Sequence, residues 1–358
     1  MNVSELLQAM LQKGISDIHF KAGSPPSVRV NGKLIATGSE SFTAKHIEEI
    51  AYGLLSKEQR EAFDSNDELD MSYGVEGVSR FRINICRQRG TIALTIRVIP
   101  ISVKSYEELN LPSNVLKKLA EEPRGLILFA GITGAGKTTT MNATIDYINE
   151  KFASKIVTIE DPIEHFHKDK KSFIYQREIG IDTKSFACGL KYVLRQDPDV
   201  VCIGEMREFE AISAGITAAE TGHLVLSTIH TMDAVQTIDR IIDTYPPHQQ
   251  HQIRVALSNV VKGIIVQRLI PTINGYGRVP ATEILIGTSL VRKNIAEGKS
   301  SEIHELMEQG EYYGMKTFDQ DIIHLYKDKK ITMENALANS TNPDDLMLKI
   351  KGIDREGR

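Results

Sequence analysis

The chain has 358 residues, enough for about two domains at ~150 residues each. Its formal charge of -4 and sequence pI near 6.2 exclude a strong overall attraction to nucleic acid or anionic lipid. Cys86, Cys188 and Cys202 lack C-x-x-C spacing, so neither a zinc cluster nor a disulfide framework is expected. The first ten residues carry no basic residue and read unlike a secretory signal. No apolar run approaches the ~20 residues that span a bilayer, so membrane contact is expected only through a partner.

Residues 1–100 read as a small α/β domain with no nucleotide loop. A helix is expected over Val3–Leu11 and a strand over Asp17–Phe20. Ser27–Val30 and Lys33–Ile35 flank Asn31-Gly32, whose tolerance of positive φ suits a tight hairpin. Thr43 to Phe63 reads as two helices. Arg80–Ile85 and Ala93–Val98 alternate polar and apolar residues, as strands with one exposed face do. Residues 101–113 read as a linker, with Pro100 and Pro112 breaking regular structure around it. Over residues 114–288 strands alternate with helices, the pattern of a doubly wound parallel sheet. Its strands are expected at Leu126–Ala130, Ile156–Ile159, Val200–Ile203, Leu224–Thr228 and Arg278–Leu285. Residues 289–358 read as a helical, charged region with a frayed tail at Asp354–Arg358.

The first of these strands runs into Gly131, Ile132, Thr133, Gly134, Ala135, Gly136, Lys137 and Thr138, which spell G-x-x-x-x-G-K-[ST]. Apolar Met141, Ile145 and Ile148 follow at helical spacing. Glycines let backbone N–H groups turn inward around phosphate oxygens, and the helix N-terminus adds partial positive charge. Lys137 is expected to reach the β/γ-phosphates of ATP, Thr138 to hold Mg²⁺ through its hydroxyl, and Thr139 to complete the cradle.

Other strand ends carry chemistry too. Val200–Ile203 ends in Gly204-Glu205, so Glu205 is the available carboxylate for polarising water and for Mg²⁺, directly or through water. Thr158-Ile159 leads into Glu160, Asp161 and Glu164, and Leu224–Thr228 into His230, with His223 before that strand. Ligands of an open α/β sheet bind beyond the carboxyl ends of its strands, so these groups are expected in one crevice. Taken singly, a strand-end Glu is as well explained as a surface carboxylate, and a lone His as a structural hydrogen-bonder.

The order Gly-Ile-Thr-Gly-Ala-Gly-Lys-Thr, Thr-Ile-Glu-Asp-Pro-Ile-Glu, Gly-Glu-Met-Arg, then Ala-Glu-Thr-Gly-His and Ser-Thr-Ile-His-Thr resembles the type II/IV secretion ATPase superfamily. Within it the chain is similar to the twitching-motility retraction ATPases of type IV pili, the PilT/PilU family. That resemblance implies a RecA-like P-loop core, a PAS-like N-terminal domain and a homo-hexameric ring. It also implies Mg-ATP hydrolysis that powers pilus retraction, an inner-membrane platform protein as partner, and a paralogous retraction ATPase as a further candidate. The place of work would be cytoplasmic, peripheral at the inner membrane, with no direct membrane insertion. Glu205 would be the catalytic glutamate, Glu160, Asp161 and Glu164 Asp-box carboxylates, and His223 and His230 His-box residues. Arg82 and Arg97 resemble the family arginines that reach nucleotide phosphates; by themselves they read as solvated strand arginines.

The chain departs from the PilT pattern Ala-Ile-Arg-Asn-Leu-Ile-Arg-Glu, keeping Arg292, Ile295 and Glu297 within Ser289–Glu297. Gly314–Gln320 and Asn342–Lys351 look more like PilU. Three other readings compete. A pilus assembly or type II secretion ATPase usually carries paired cysteines, missing here. A DNA-translocating motor needs a basic groove and aromatic stacking, whereas the net charge is -4 and Trp is absent; no nucleic acid partner is expected. A ring subunit without turnover would not need Lys137, Thr138 and Glu205 together.

Overall fold

The computed structural model describes Leu7, Met10 and residues 15–30, 33–75, 79–99 and 102–352. The expected opening helix, the Asn31-Gly32 turn and the tail at Asp354–Arg358 fall wholly or largely outside these residues. Two compact units are formed. The first comprises Met1–Ser102 together with Pro162–Phe166, and the second Val103–Asp161 with His167–Arg358.

The first unit is built on an antiparallel sheet of β1 (Ile15–Lys21), β2 (Ser27–Val30), β3 (Lys33–Ala36), β4 (Glu68–Val75), β5 (Ser79–Gln88) and β6 (Thr91–Ile99), in the order β3-β2-β1-β6-β5-β4. Its β4 is absent from the sequence reading, although Leu69, Met71, Tyr73 and Val75 alternate with Glu68, Asp70, Ser72 and Gly74 at strand period. The two helices expected within Thr43 to Phe63 are Ala44–Leu54 and Lys57–Asn66, each starting on a hydroxyl that accepts from a third-residue N–H: Thr43 from His46, and Ser56 from Gln59 in a full capping box. Ile47, Ala51, Leu54 and Phe63 from these helices join Phe81, Ile83, Ile85, Leu94 and Ile96 in one core.

The second unit holds a sheet of β7 (Gly125–Ala130), β8 (Lys155–Glu160), β9 (Phe173–Glu178), β10 (Val200–Ile203), β11 (Leu224–Ile229), β12 (Val261–Pro271) and β13 (Arg278–Ile286). The order is β13-β12-β7-β11-β10-β8-β9, and every neighbouring pair is parallel except β12 with β13. The alternating pattern thus gives the α/β core, but the Arg278 strand closes it as an antiparallel edge. Strand alternation sends Leu126 and Leu128 into one core and Ile127 and Phe129 into the other. Helices cover both faces, which is why β7 and β11 are buried throughout. Helices from Ser289 onward contribute Val291, Ile295, Phe318, Ile322 and Leu346 to the first of these cores, so the C-terminal region is packed on the seven-stranded sheet. Among the described residues, no helix is long and apolar enough to cross a membrane.

Candidate nucleotide site

The strand order puts β7, β11, β10 and β8 side by side, so their carboxyl ends deliver Gly131, His230, Gly204-Glu205 and Glu160 in succession along one edge. The loop after β7 leads straight into helix Lys137–Lys151, whose N-cap Gly136 has φ 93° and offers no side-chain cap. The first-turn N–H groups therefore point at the loop, ready for an anion. Gly131 has no substitute: at φ 143° it lies in a region side chains avoid, and a Cβ would stand 2.6 Å from the Gln267 carbonyl oxygen on β12. Thr138 is half-buried and Thr139 exposed at the start of the helix, while Ile132, Thr133 and Gly134 form the open rim of the loop and Ala135 is buried beneath it.

Lys137 is buried, and its Nζ donates to the carbonyl oxygens of Gly131 (2.9 Å) and Ile132 (3.0 Å). The same Nζ stands 3.5 Å from His230 Nδ1, and His230 Nε2 stands 3.2 Å from Glu205 Oε1. One tautomer satisfies both contacts: Nδ1 accepts from the ammonium and Nε2–H donates to the carboxylate. Arg207 Nε closes the run with a short ion pair to the same Glu205 oxygen. Lysine, imidazole, carboxylate and guanidinium thus form one chain across three adjacent strand ends.

Burial and the nearby Lys137 charge lower the His230 pKa from its ordinary 6.5, against the opposing pull of Glu205. The imidazole is therefore neutral at pH 7, as an acceptor facing an ammonium must be. A depressed folded pKa means that this group's contribution to stability is complete above 6.5 and lost as pH falls through the lower folded value. In nucleotide-free protein, the stability margin of wild type over His230→Gln should stay constant above that pH and shrink on acidification. Thermal unfolding across a pH series checks this; a margin that widens in acid would refute the neutral bridge.

Glu160 is buried at the end of β8, where its Oε1 accepts from Thr158 Oγ1 at 2.6 Å and Gln176 Nε2 at 3.1 Å. It lies against the tip of β10, its Cα 3.3 Å from where a Cβ on Gly204 would stand, so the glycine keeps the two strand ends close. Asp161 is exposed and adds to the negative charge felt by Arg207.

Two expectations need correction or separation. His223 does not share the crevice: it precedes β11 while His230 follows it, about 20 Å apart along a six-residue strand at ~3.3 Å per residue. There its Nδ1 lies 2.9 Å from the Ala218 carbonyl oxygen, closing the end of the preceding helix. Glu164 is exposed on Pro162–Phe166, a segment grouped with the first unit. Arg82 and Arg97 are directly opposite each other on β5 and β6 of that unit. Three participants escape the sequence reading. Arg207 and Thr158 each sit two residues from a carboxylate already singled out, the spacing that returns to one face of extended chain. Gln176 gives no such signal, because β9 is not legible as a strand.

The family model for type II/IV secretion system proteins matches residues 2–310. The chain belongs to this family. As a type II/IV secretion family member it is 40% identical over 351 residues to the type IV pilus ATPase PilU of Pseudomonas aeruginosa, covering 98% of this chain and 92% of that protein. It is also 40% identical over 345 residues to the type IV pilus retraction ATPase PilT of the same organism, covering 96% and 100%. The crystal structure of the pilus retraction motor PilT with bound ADP superposes with a TM-score of 0.90 at 42% identity, over 97% of this chain and 99% of that one. The secretion-family fold is thus a mixed α/β ATPase fold, and overall identity favours neither PilU nor PilT.

Proposed function

We propose that this family member is a Mg-ATP-hydrolysing motor that powers type IV pilus retraction. The observation that carries the chemistry is the Lys137–His230–Glu205 chain, which couples the phosphate-loop lysine to a carboxylate on a neighbouring strand end. Lys137 and the N–H groups of residues 131–139 would hold the β/γ-phosphates. Glu205 would take the proton of the attacking water, with His230 and Arg207 fixing its carboxylate. Glu160, held by Thr158 and Gln176, would support the water network, with Glu164 a further Asp-box carboxylate. Thr138 and, through water, Glu205 suit Mg²⁺, a hard cation that takes oxygen donors and shares its shell with substrate phosphates. Mg²⁺ supplies charge neutralisation at those phosphates. Arg82 and Arg97 would add positive charge at the transferring phosphoryl.

The same reading makes the first unit PAS-like and the second RecA-like, and assembles the chain as a homo-hexamer. Its partners are a pilus platform protein of the inner membrane and a paralogous retraction ATPase, and it works at the cytoplasmic face. PilT-like and PilU-like roles share this chemistry; Gly314–Gln320 and Asn342–Lys351 favour the PilU-like one. Deleting the gene should leave cells with excess surface pili and no twitching. Bald cells would make the protein an assembly ATPase instead.

A further inference from the structure

The N-terminal sheet sets one charged row across four strands. Register places Arg29 opposite Asp17 on β2 and β1, Asp17 opposite Arg97 on β1 and β6, and Arg97 opposite Arg82 on β6 and β5. Residues directly opposite share a face, so three arginines line up with one carboxylate among them. The Asp17 side chain is only 4% exposed, whereas that of Arg97 is 61% exposed.

Arg97 Nε donates to Asp17 Oδ1 at 2.6 Å, Ser16 Oγ donates to Oδ2 at 2.8 Å, and Arg29 Nε lies 3.8 Å from Oδ2. Burial alone would raise the Asp17 carboxyl; the hydrogen bonds from Arg97 and Ser16 outweigh it and hold the pKa below 3.8. A buried, ionised carboxylate is costly, and a surface ion pair stabilises little, so fold stability is a weak reason for one here. Geometry offers a better reason. A guanidinium gripped by Nε keeps its terminal Nη1 and Nη2 groups for a second acceptor, and among the described residues nothing takes those of Arg97. Gripping also removes in advance the rotamer freedom that an exposed arginine loses when it binds.

We propose that Asp17 is a positioning residue for ATP hydrolysis, holding Arg97 by Nε so that its Nη edge is presented outward as a fork for two phosphate oxygens. This rests on the reading of Arg97 as a phosphate-contacting arginine. Asp17 touches no substrate and acts only through Arg97, while Arg82, opposite on the next strand, adds charge without the same grip: its nearest carboxylate, Asp70, is 53% exposed and 3.8 Å away.

Steady-state ATP hydrolysis by the full-length protein tests this in a double-mutant cycle of Asp17→Asn and Arg97→Ala. Arg97→Ala should lower kcat by about 10-fold or more with little change in KM, because such an arginine acts mainly in the transition state. Asp17→Asn should lower kcat in the same way, and the double variant should be no slower than Arg97→Ala alone. Losses that multiply would overturn the proposal, since Asp17 would then act independently of Arg97. Wild-type kcat in Asp17→Asn beside a slow Arg97→Ala would overturn the positioning role alone. Wild-type kcat in Arg97→Ala would overturn the phosphate reading itself. Should Asp17→Asn fail to fold, Arg97→Lys serves: it can keep the pair with Asp17 but has no Nη fork, so kcat should stay at the Arg97→Ala level. Full activity in Arg97→Lys would overturn the fork.

Discussion

Lys137→Ala is expected to abolish measurable ATP turnover and to weaken nucleotide binding. The ammonium is the buried cation of the phosphate loop, and no other side chain of that loop carries positive charge. Its removal takes away the charge that would face the β/γ-phosphates. It also takes the donor from the buried Gly131 carbonyl oxygen, and from the less buried Ile132 carbonyl oxygen and His230 Nδ1. A buried acceptor left without a donor costs about 1–3 kcal/mol, so the loop itself should loosen. Phosphate release and nucleotide titration give the functional effect, and thermal unfolding of the same samples gives the local cost. Unchanged hydrolysis by a folded Lys137→Ala protein would remove the loop from the chemistry.

Glu205→Gln separates binding from chemistry. The amide preserves size and an oxygen for the His230 and Arg207 contacts, but it cannot accept a proton from water. ATP should still bind, while hydrolysis falls by roughly 10²-fold or more, the scale of a lost general base. Single-turnover measurement with prebound ATP would read this directly. Full turnover would move the base role to Glu160, which is buried and accepts from Thr158 and Gln176, or to Glu164.

The phosphate loop was legible in the sequence because its chemistry is local. Gly131, Gly134, Gly136, Lys137 and Thr138 act within eight consecutive residues, and backbone conformation together with a helix start is all the loop needs. The strands β7, β8, β10 and β11 were legible for a similar reason: burial on both faces demands mostly apolar runs, which one-dimensional text records. The family followed from the order of such segments along the chain.

Strand order, in contrast, is a property of pairing across long sequence separations. Nothing in Leu224–Ile229 says that it inserts between β7 and β10, yet that placement brings His230 between Lys137 and Glu205 and makes one hydrogen-bonded chain of them. The same ordering removes His223 from the site, since a strand carries its two ends apart. β9 and β12 stayed hidden because Phe173–Glu178 is a half-exposed edge and Val261–Pro271 continues directly from a helix with no turn residue between them. With β9 unseen, Gln176 could not be placed on Glu160, and with β12 unseen, the carbonyl that forbids a side chain at Gly131 had no address. Asp17 read as an ordinary strand residue; only the register of β1 against β6 buries its carboxylate under Arg97.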